Sequence, residues 1–514
     1  MKVVVTAAGS SQRFYEAGFS VPKYMLMVRF KPMLQRVMEM FSTNDSFLIV
    51  TTLRQQQMFQ SFFENISEQY ANVTITGIEE HSLGPAYTVM SPEVIDWIGN
   101  DNFVVTYCDF VLKWDYSKFI AEISAEDPAG AIVSFEGLQP ASRGSTYFAY
   151  LKTHSNHVLE VREKKSFTAQ RSSEIASAGI YYFKSISHYI QGYHDSLDDF
   201  AEYKEQYVSL IFNALIRKSH LVIHFAAHQF LCLGTPFDYE EMIFWEEFFD
   251  STKLPSPDFD AQLKIIPMAG FGERFRRAGI KVPKPFLPIR NQPIFAHAMN
   301  SFPRASESIV ISLEGARPRI ERSLQGLNLK TKVYVLPEET SGPGETLLAI
   351  KPFINHNGDA VVMSCDYEHL VDRKVFNMET PKGVASIAIL YTSYNPLRMK
   401  NASAFAYCEA DEAGVVSRIV EKELLSDTPA NDKLLVGTFW FQNVSLLFSA
   451  LEIALSANML VNGELCVAFA INAMIRRGYV VKAIPVTHWI SYGDPDEVEI
   501  YQWWESIFEF LDSD

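Results

Sequence analysis

Two short stretches carry the residue types that phosphate chemistry needs, at matched spacing. The first runs Ala8-Gly9-Ser10-Ser11-Gln12-Arg13-Phe14 and is followed by Pro22-Lys23; the second runs Ala269-Gly270-Phe271-Gly272-Glu273-Arg274-Phe275 and is followed by Pro283-Lys284. Small residues let backbone N–H groups approach a phosphate without Cβ obstruction, and Arg and Lys add charge that the backbone lacks. A carboxylate also follows an apolar run in each half: Asp109 after Val105-Thr106-Tyr107-Cys108, and Asp366 after Val362-Met363-Ser364-Cys365. A carboxylate so placed suits Mg²⁺, a hard cation that takes oxygen ligands and bridges phosphates. Attack on an α-phosphate needs this set. Metal and cations neutralise charge growing on the transferring phosphorus and the leaving pyrophosphate, the protein aligns two substrates, and no protein nucleophile is required.

The elements that must hold these residues are legible from hydrophobic periodicity. Each small-residue stretch follows a short apolar run, Val3-Val4-Val5 or Lys264-Ile265-Ile266, which predicts a strand, a tight turn and a helix start. Short β-branched runs such as Phe47-Leu48-Ile49-Val50-Thr51 alternate with helical patterns such as residues 32–41. Continuous apolar strands between amphipathic helices predict a mostly parallel sheet covered on both faces. The expected fold class is α/β, with two tandem doubly wound, Rossmann-like domains that bind ligands at the carboxyl ends of their strands.

The two halves keep matching beyond the first loop. Leu83-Gly84-Pro85-Ala86 answers Ser341-Gly342-Pro343-Gly344, and Val161-Arg162-Glu163-Lys164 answers Ile419-Val420-Glu421-Lys422. Gly179 and Gly437 open matched aromatic strands, Asn213 pairs with Asn472, and Gly234-Thr235-Pro236 pairs with Gly493-Asp494-Pro495. The repeat is therefore a whole domain, and 514 residues suit two cores. A polar, proline-bearing stretch marks the break, giving expected limits of 1–250 for the first domain, 251–261 for a linker and 262–514 for the second.

Formal net charge is −16, with no basic run, which argues against nucleic acid as the main partner. The five cysteines show no metal spacing and read as reduced thiols; with no leader pattern and no membrane-length apolar stretch, a cytoplasmic protein without membrane insertion is expected. His81, His228 and His488 lack metal spacing, and the alternating aromatics Tyr181, Phe183, Phe439 and Phe441 read as packing.

In order, the small-residue loop with Arg, Pro-Lys, a Gly-Pro turn, a strand ending in Asp, Glu-Lys, and Gly-x-Tyr/Phe-x-Phe resemble the sugar-phosphate nucleotidylyltransferase family, whose fold is GT-A-like. The resemblance covers nearly all of both halves. Asn462-Gly463-Glu464-Leu465-Cys466-Val467 and Glu205-Gln206-Tyr207-Val208 each keep part of a late motif of its capsule and surface-polysaccharide subgroup. The resemblance implies that Arg13, Lys23, Arg274 and Lys284 contact the triphosphate and stabilise the transition state. It places Ala8, Gly9, Ser10, Ser11, Gly84, Ala269, Gly270, Phe271, Gly272 and Gly342 around the nucleotide, and Mg²⁺ on Asp109 and Asp366. Glu163, Lys164, Gly179, Glu205, Glu421, Lys422, Gly437 and Glu464 would then face the second substrate, with the lysines on its phosphate.

Cys232 and Ser491 stand where many members carry a second metal-binding Asp, so the cation would rest on one protein carboxylate plus substrate oxygens. Ser11 against Gly272 and Thr235 against Asp494 are the sharpest differences between the halves. The expected activity is transfer of a nucleoside monophosphate from an NTP to a phosphorylated sugar or polyol, for capsule or surface-glycan precursors. CTP is favoured by Ala7-Ala8-Gly9-Ser10-Ser11 and the capsule-type resemblance, with UTP, dTTP and GTP open. Two active pockets are one outcome, one catalytic domain with a regulatory nucleotide-binding partner is the other, and oligomeric state stays open.

Overall fold

The computed structural model describes residues 1–143, 147–252, 260–270, 272–325, 330–380, 386–395 and 401–513. The chain forms two compact units, Met1–Glu246 with Trp503–Asp514, and Glu247–Gln502. None of the described helices is long and apolar enough to cross a membrane.

In the first unit a nine-stranded sheet runs in the order Val73–Ile78, Ser46–Thr52, Lys2–Thr6, Phe103–Tyr107, Ala176–Phe183, Gly130–Phe135, Val222–Ala226, His157–Glu163, Ala149–His154. Lys2–Thr6 is parallel to both neighbours, pairing Val4 with Leu48 and with Val105. The sheet is mixed, because Ala176–Phe183 runs antiparallel between Phe103–Tyr107 and Gly130–Phe135. The apolar run at residues 3–5 is explained by burial on both faces. Val3 and Val5 pack with Leu34, Val37 and Phe63, whereas Val4 packs with Ala86, Val89 and Phe212 on the opposite face.

The second unit repeats this plan, with strands in the order Lys330–Leu336, Ala305–Leu313, Ala261–Pro267, Ala360–Met363, Lys433–Phe441, Ile387–Ser393, Val481–Pro485. Ala406–Ala410 and Val416–Glu421 complete the sheet as an antiparallel pair. Ile265 and Ile266 again face different cores. Lys264 is fully buried in that strand, where its ammonium donates to the carbonyls of Ala298, Met299 and Ser301 at the end of helix Ile294–Asn300. Those carbonyls lack partners within the helix, so a cation is suited to them.

One contribution to the first unit has no signal in the repeat. The end of the last helix, Pro495–Asp512, belongs to it. Arg29, in a left-handed conformation at φ 56°, holds the Asp512 carboxylate through Nε at 2.7 Å and Nη2 at 3.0 Å, and reaches Glu246 at 3.2 Å. Trp504 stacks on Trp245 with ring centroids 6.2 Å apart.

Candidate functional sites

Both phosphate-type loops sit at the carboxyl end of the first strand of their unit. Ser11, the residue before helix Gln12–Glu16, adopts φ 52°, and Gly272, before helix Glu273–Arg277, adopts φ 63°. A left-handed turn is therefore built twice, once with glycine and once without. Ser11 fits because its Oγ accepts the Lys23 N–H at 3.2 Å, giving the side chain a local partner. At Gly272 a Cβ would meet the Lys284 Cβ at 3.2 Å, so glycine suits the closer approach. A Cβ at Gly9 or Gly270 would meet nothing within 4 Å: the loop opens onto free space where a ligand can approach the backbone. Ala8 and Ala269 are buried beneath it, and Ser10 is exposed. Phe271 lies outside the described residues. Arg13 and Arg274 are exposed.

Lys23 and Lys284 meet the strand-end carboxylates. Lys23 Nζ is 2.6 Å from Asp109 Oδ2, and Lys284 Nζ is 2.5 Å from Asp366 Oδ2. Burial works against the charged form of each lysine, but the facing carboxylate outweighs it and holds both above the ordinary lysine value. Burial likewise opposes ionisation of Asp366, yet Lys284 and Ser364 bring it below the usual carboxylate value. Among the described residues no group of three or more His, Cys, Asp or Glu could hold a metal. A cation here would have one strand-end carboxylate, Asp109 or Asp366, with its other ligands from substrate.

A second acid near each aspartate escaped the sequence reading. Asp238 is buried beside Asp109, accepts from Thr235 N and Oγ1 at 3.1 and 2.7 Å, and is pushed up to about 6, chiefly by burial. Glu497 takes the matched place in the second unit, accepting from Ser491 Oγ at 2.6 Å. A Cβ at Gly493 would lie 3.5 Å from Asp366 Oδ2 and 3.6 Å from Glu497 Oε2, which puts both acids at one spot. The sequence signal is Thr235-x-x-Asp238, a capping pattern at the start of helix Pro236–Thr252 that a structural role accounts for equally well.

The Gly-Pro turns close one wall. Gly84, at φ 96°, would push a Cβ to 2.8 Å from Gln206 N, and Gly342, at φ 143°, to 3.2 Å from Glu464 Cβ. Backbone bonds Gln206 N to Leu83 O at 2.7 Å, and Gly344 N to Leu465 O at 2.8 Å, join each turn to the loop bearing Glu205 or Glu464. The expected nucleoside wall and second-substrate loop are thus neighbours in both units.

Glu163-Lys164 and Glu421-Lys422 end the matched strands. Lys164 and Lys422 adopt φ 53° and 55°, an unfavourable backbone for lysine that is kept in both copies. The Lys164 ammonium donates to the Tyr207 hydroxyl, while Lys422 pairs with Glu464 at 2.9 Å. Glu205 is exposed, and the structure does not bring it to Lys164 as it brings Glu464 to Lys422. Burial pushes Glu163 and Glu421 up to about 7. Gly179 and Gly437 sit at register shifts in their strands, under the rings of Tyr107 and Phe110 in one unit and of Tyr367 in the other.

A family model described as nucleotidyl transferase matches residues 2–243 and again residues 263–497. A mannose-1-phosphate guanyltransferase of Gibberella zeae is 29% identical over 115 residues, 20% of this chain and 31% of that protein. The bifunctional protein GlmU of Methanococcus maripaludis is 24% identical over 236 residues, 46% of this chain and 52% of that one. The chain thus spans about half or less of the length of these curated relatives. Among solved structures, the nucleoside-diphosphate-sugar pyrophosphorylase of Vibrio cholerae RC9 is 21% identical, covering 47% of this chain and 98% of its own, with a TM-score of 0.39.

Proposed function

Because the chain belongs to the nucleotidyl transferase family, we propose that each unit transfers a nucleoside monophosphate from an NTP to a phosphorylated sugar or related phosphorylated small molecule, releasing pyrophosphate. The observation that carries this reading is the doubled pair of Lys23 with Asp109 and Lys284 with Asp366, each beside an open phosphate-type loop. In this account Arg13 and Arg274, exposed on the first turn after the loop, reach the triphosphate. Lys23 and Lys284 bear on the charge that develops at the α-phosphate, and Lys164 and Lys422 hold the second substrate's phosphate in line for attack. Glu163 and Glu421, pushed up by burial, accept from that substrate's polar groups or donate a proton to them.

Asp109 and Asp366 fit Mg²⁺: each offers a hard oxygen that already holds one cation, the lysine ammonium. When bound, the metal supplies charge neutralisation on the phosphates. Lys284 holds the Asp366 carboxyl below its ordinary value and so favours its ionised form before any substrate enters. The capsule or surface-glycan setting, a cytoplasmic location and CTP as donor rest on the motif resemblance and belong to this proposal. Pyrophosphate release across CTP, UTP, dTTP and GTP against hexose and polyol phosphates tests it. Turnover by at least one pair, lost on substituting the strand-end aspartates, is the expected result; no turnover by any pair points to a nucleotide-binding role.

A further inference from the structure

The second-substrate side of both units is built in one register. Asn213 Oδ1 accepts the Val161 N–H at 2.9 Å while its Nδ2 donates to Val161 O at 2.8 Å; Asn472 clamps Ile419 in the same way at 3.0 and 2.8 Å. These clamps fix helix Val208–Arg217 on strand His157–Glu163, and helix Val467–Ile475 on strand Val416–Glu421. The helix residue one turn before each asparagine therefore faces the glutamate two places beyond the clamped strand residue.

At that position the units differ by one hydroxyl. Ser209 Oγ donates to Glu163 Oε2 at 2.6 Å. Its counterpart in the second unit is Ala468, which has nothing to donate, and Glu421 Oε2 is buried with no hydrogen-bond partner among the described residues. A carboxylate oxygen withdrawn from water without a donor is unfavourable, so the place beside Ala468 is built for a donor the chain does not carry.

The adjoining wall differs too. A Cβ at Gly179 would meet Phe110 at 3.1 Å and Tyr107 at 3.2 Å, whereas one at Gly437 would meet Tyr367 at 2.7 Å and the Ser364 Cβ at 3.5 Å. The phenol has moved from the residue two before the aspartate to the residue after it.

We propose that Ser209 and Ala468 separate the second-substrate preferences of the two units. Glu421 reads a hydrogen-bond donor, a hydroxyl or an N–H, on the second substrate of its unit. In the first unit Ser209 already fills the matched oxygen, and the substrate supplies no donor there. This rests on the nucleotidylyl-transfer reading above.

The test uses the full chain with one unit silenced at a time, by Asp109→Ala or Asp366→Ala, and measures pyrophosphate release. Acceptors are glucose, mannose and galactose 1-phosphates and their monodeoxy forms. With only the second unit active, one deoxy position is expected to raise KM ~10-fold or more, since the buried Glu421 oxygen is then left without its hydrogen-bond partner. Ala468→Ser should abolish that difference while leaving kcat within about twofold, because the new hydroxyl then occupies Glu421. With only the first unit active, Ser209→Ala should create such a difference.

The inference is overturned if Ala468→Ser keeps the full discrimination, if the second unit uses every deoxy sugar as well as its parent, or if only the first unit is active. If neither unit turns over any pair, the transfer reading itself fails and takes this inference with it.

Discussion

Lys23 Nζ lies 2.6 Å from Asp109 Oδ2 although the residues are 86 positions apart, and Lys284 repeats the contact with Asp366 across 82 positions. In both units the pair joins the lysine after the small-residue loop to the carboxylate after the neighbouring parallel strand. Each lysine already occupies one oxygen of the aspartate proposed to hold the cation, so in that account ammonium and metal would compete for the carboxylate.

That competition gives the first prediction. Lys23→Met should tighten Mn²⁺ binding to the nucleotide-free first unit several-fold, while lowering that unit's turnover by ~100-fold through lost charge stabilisation. Electron paramagnetic resonance titration of Mn²⁺ and initial rates check the two effects. Unchanged metal binding together with unchanged rate would leave the pair a structural contact only.

The loop difference gives the second. Gly272→Ala places a Cβ at φ 63° and 3.2 Å from the Lys284 Cβ, and should cost about 1 kcal/mol of stability and raise KM for the nucleotide. Ser11→Ala removes the acceptor of the Lys23 N–H and should cost about 1 kcal/mol in the first unit. Urea unfolding and KM measurements decide; a neutral Gly272→Ala would show that the turn relaxes freely.

Much of this was legible in the sequence because it depends on local chemistry written twice. The apolar runs at residues 3–5 and 264–266 announced buried strands, and the paired loops, aspartates and Glu-Lys steps announced their common end of the sheet. What was not legible depended on long-range placement. Nothing local to Trp503–Asp514 says that it completes the first unit, since its apolar face reads equally well against either core. Asp238 and Glu497 were hidden because a helix start accounts for acids there. The antiparallel strand at Ala176–Phe183 and its counterpart were hidden because a strand buried on both faces reads the same in either direction.

The asparagine clamps give a third prediction. Asn213→Ala or Asn472→Ala leaves a strand N–H and C=O without partners, and each should cost about 2 kcal/mol. Chemical denaturation should show the loss in the unit carrying the change, together with weaker binding of its second substrate. Wild-type stability in both variants would remove the basis for a common register.

A fourth concerns pH. Burial raises Glu163 and Glu421 from the ordinary 4.5 to about 7. Between these values the folded chain keeps a proton that the unfolded chain releases, so their contribution is full below pH 4.5 and is lost as pH rises through 7. Glu163→Gln and Glu421→Gln should each flatten the fall of the urea midpoint between pH 5 and about 7.5. Profiles that stay parallel to wild type would contradict the assignment of buried, protonated glutamates.

The central claim, two complete transfer pockets, is tested most directly by pyrophosphate release from wild type, Asp109→Ala and Asp366→Ala across the NTP and sugar-phosphate panel. The account predicts that each substitution abolishes release for the substrate pair of its own unit and leaves the other unit's release intact. Wild-type turnover by both variants with every active pair would contradict it.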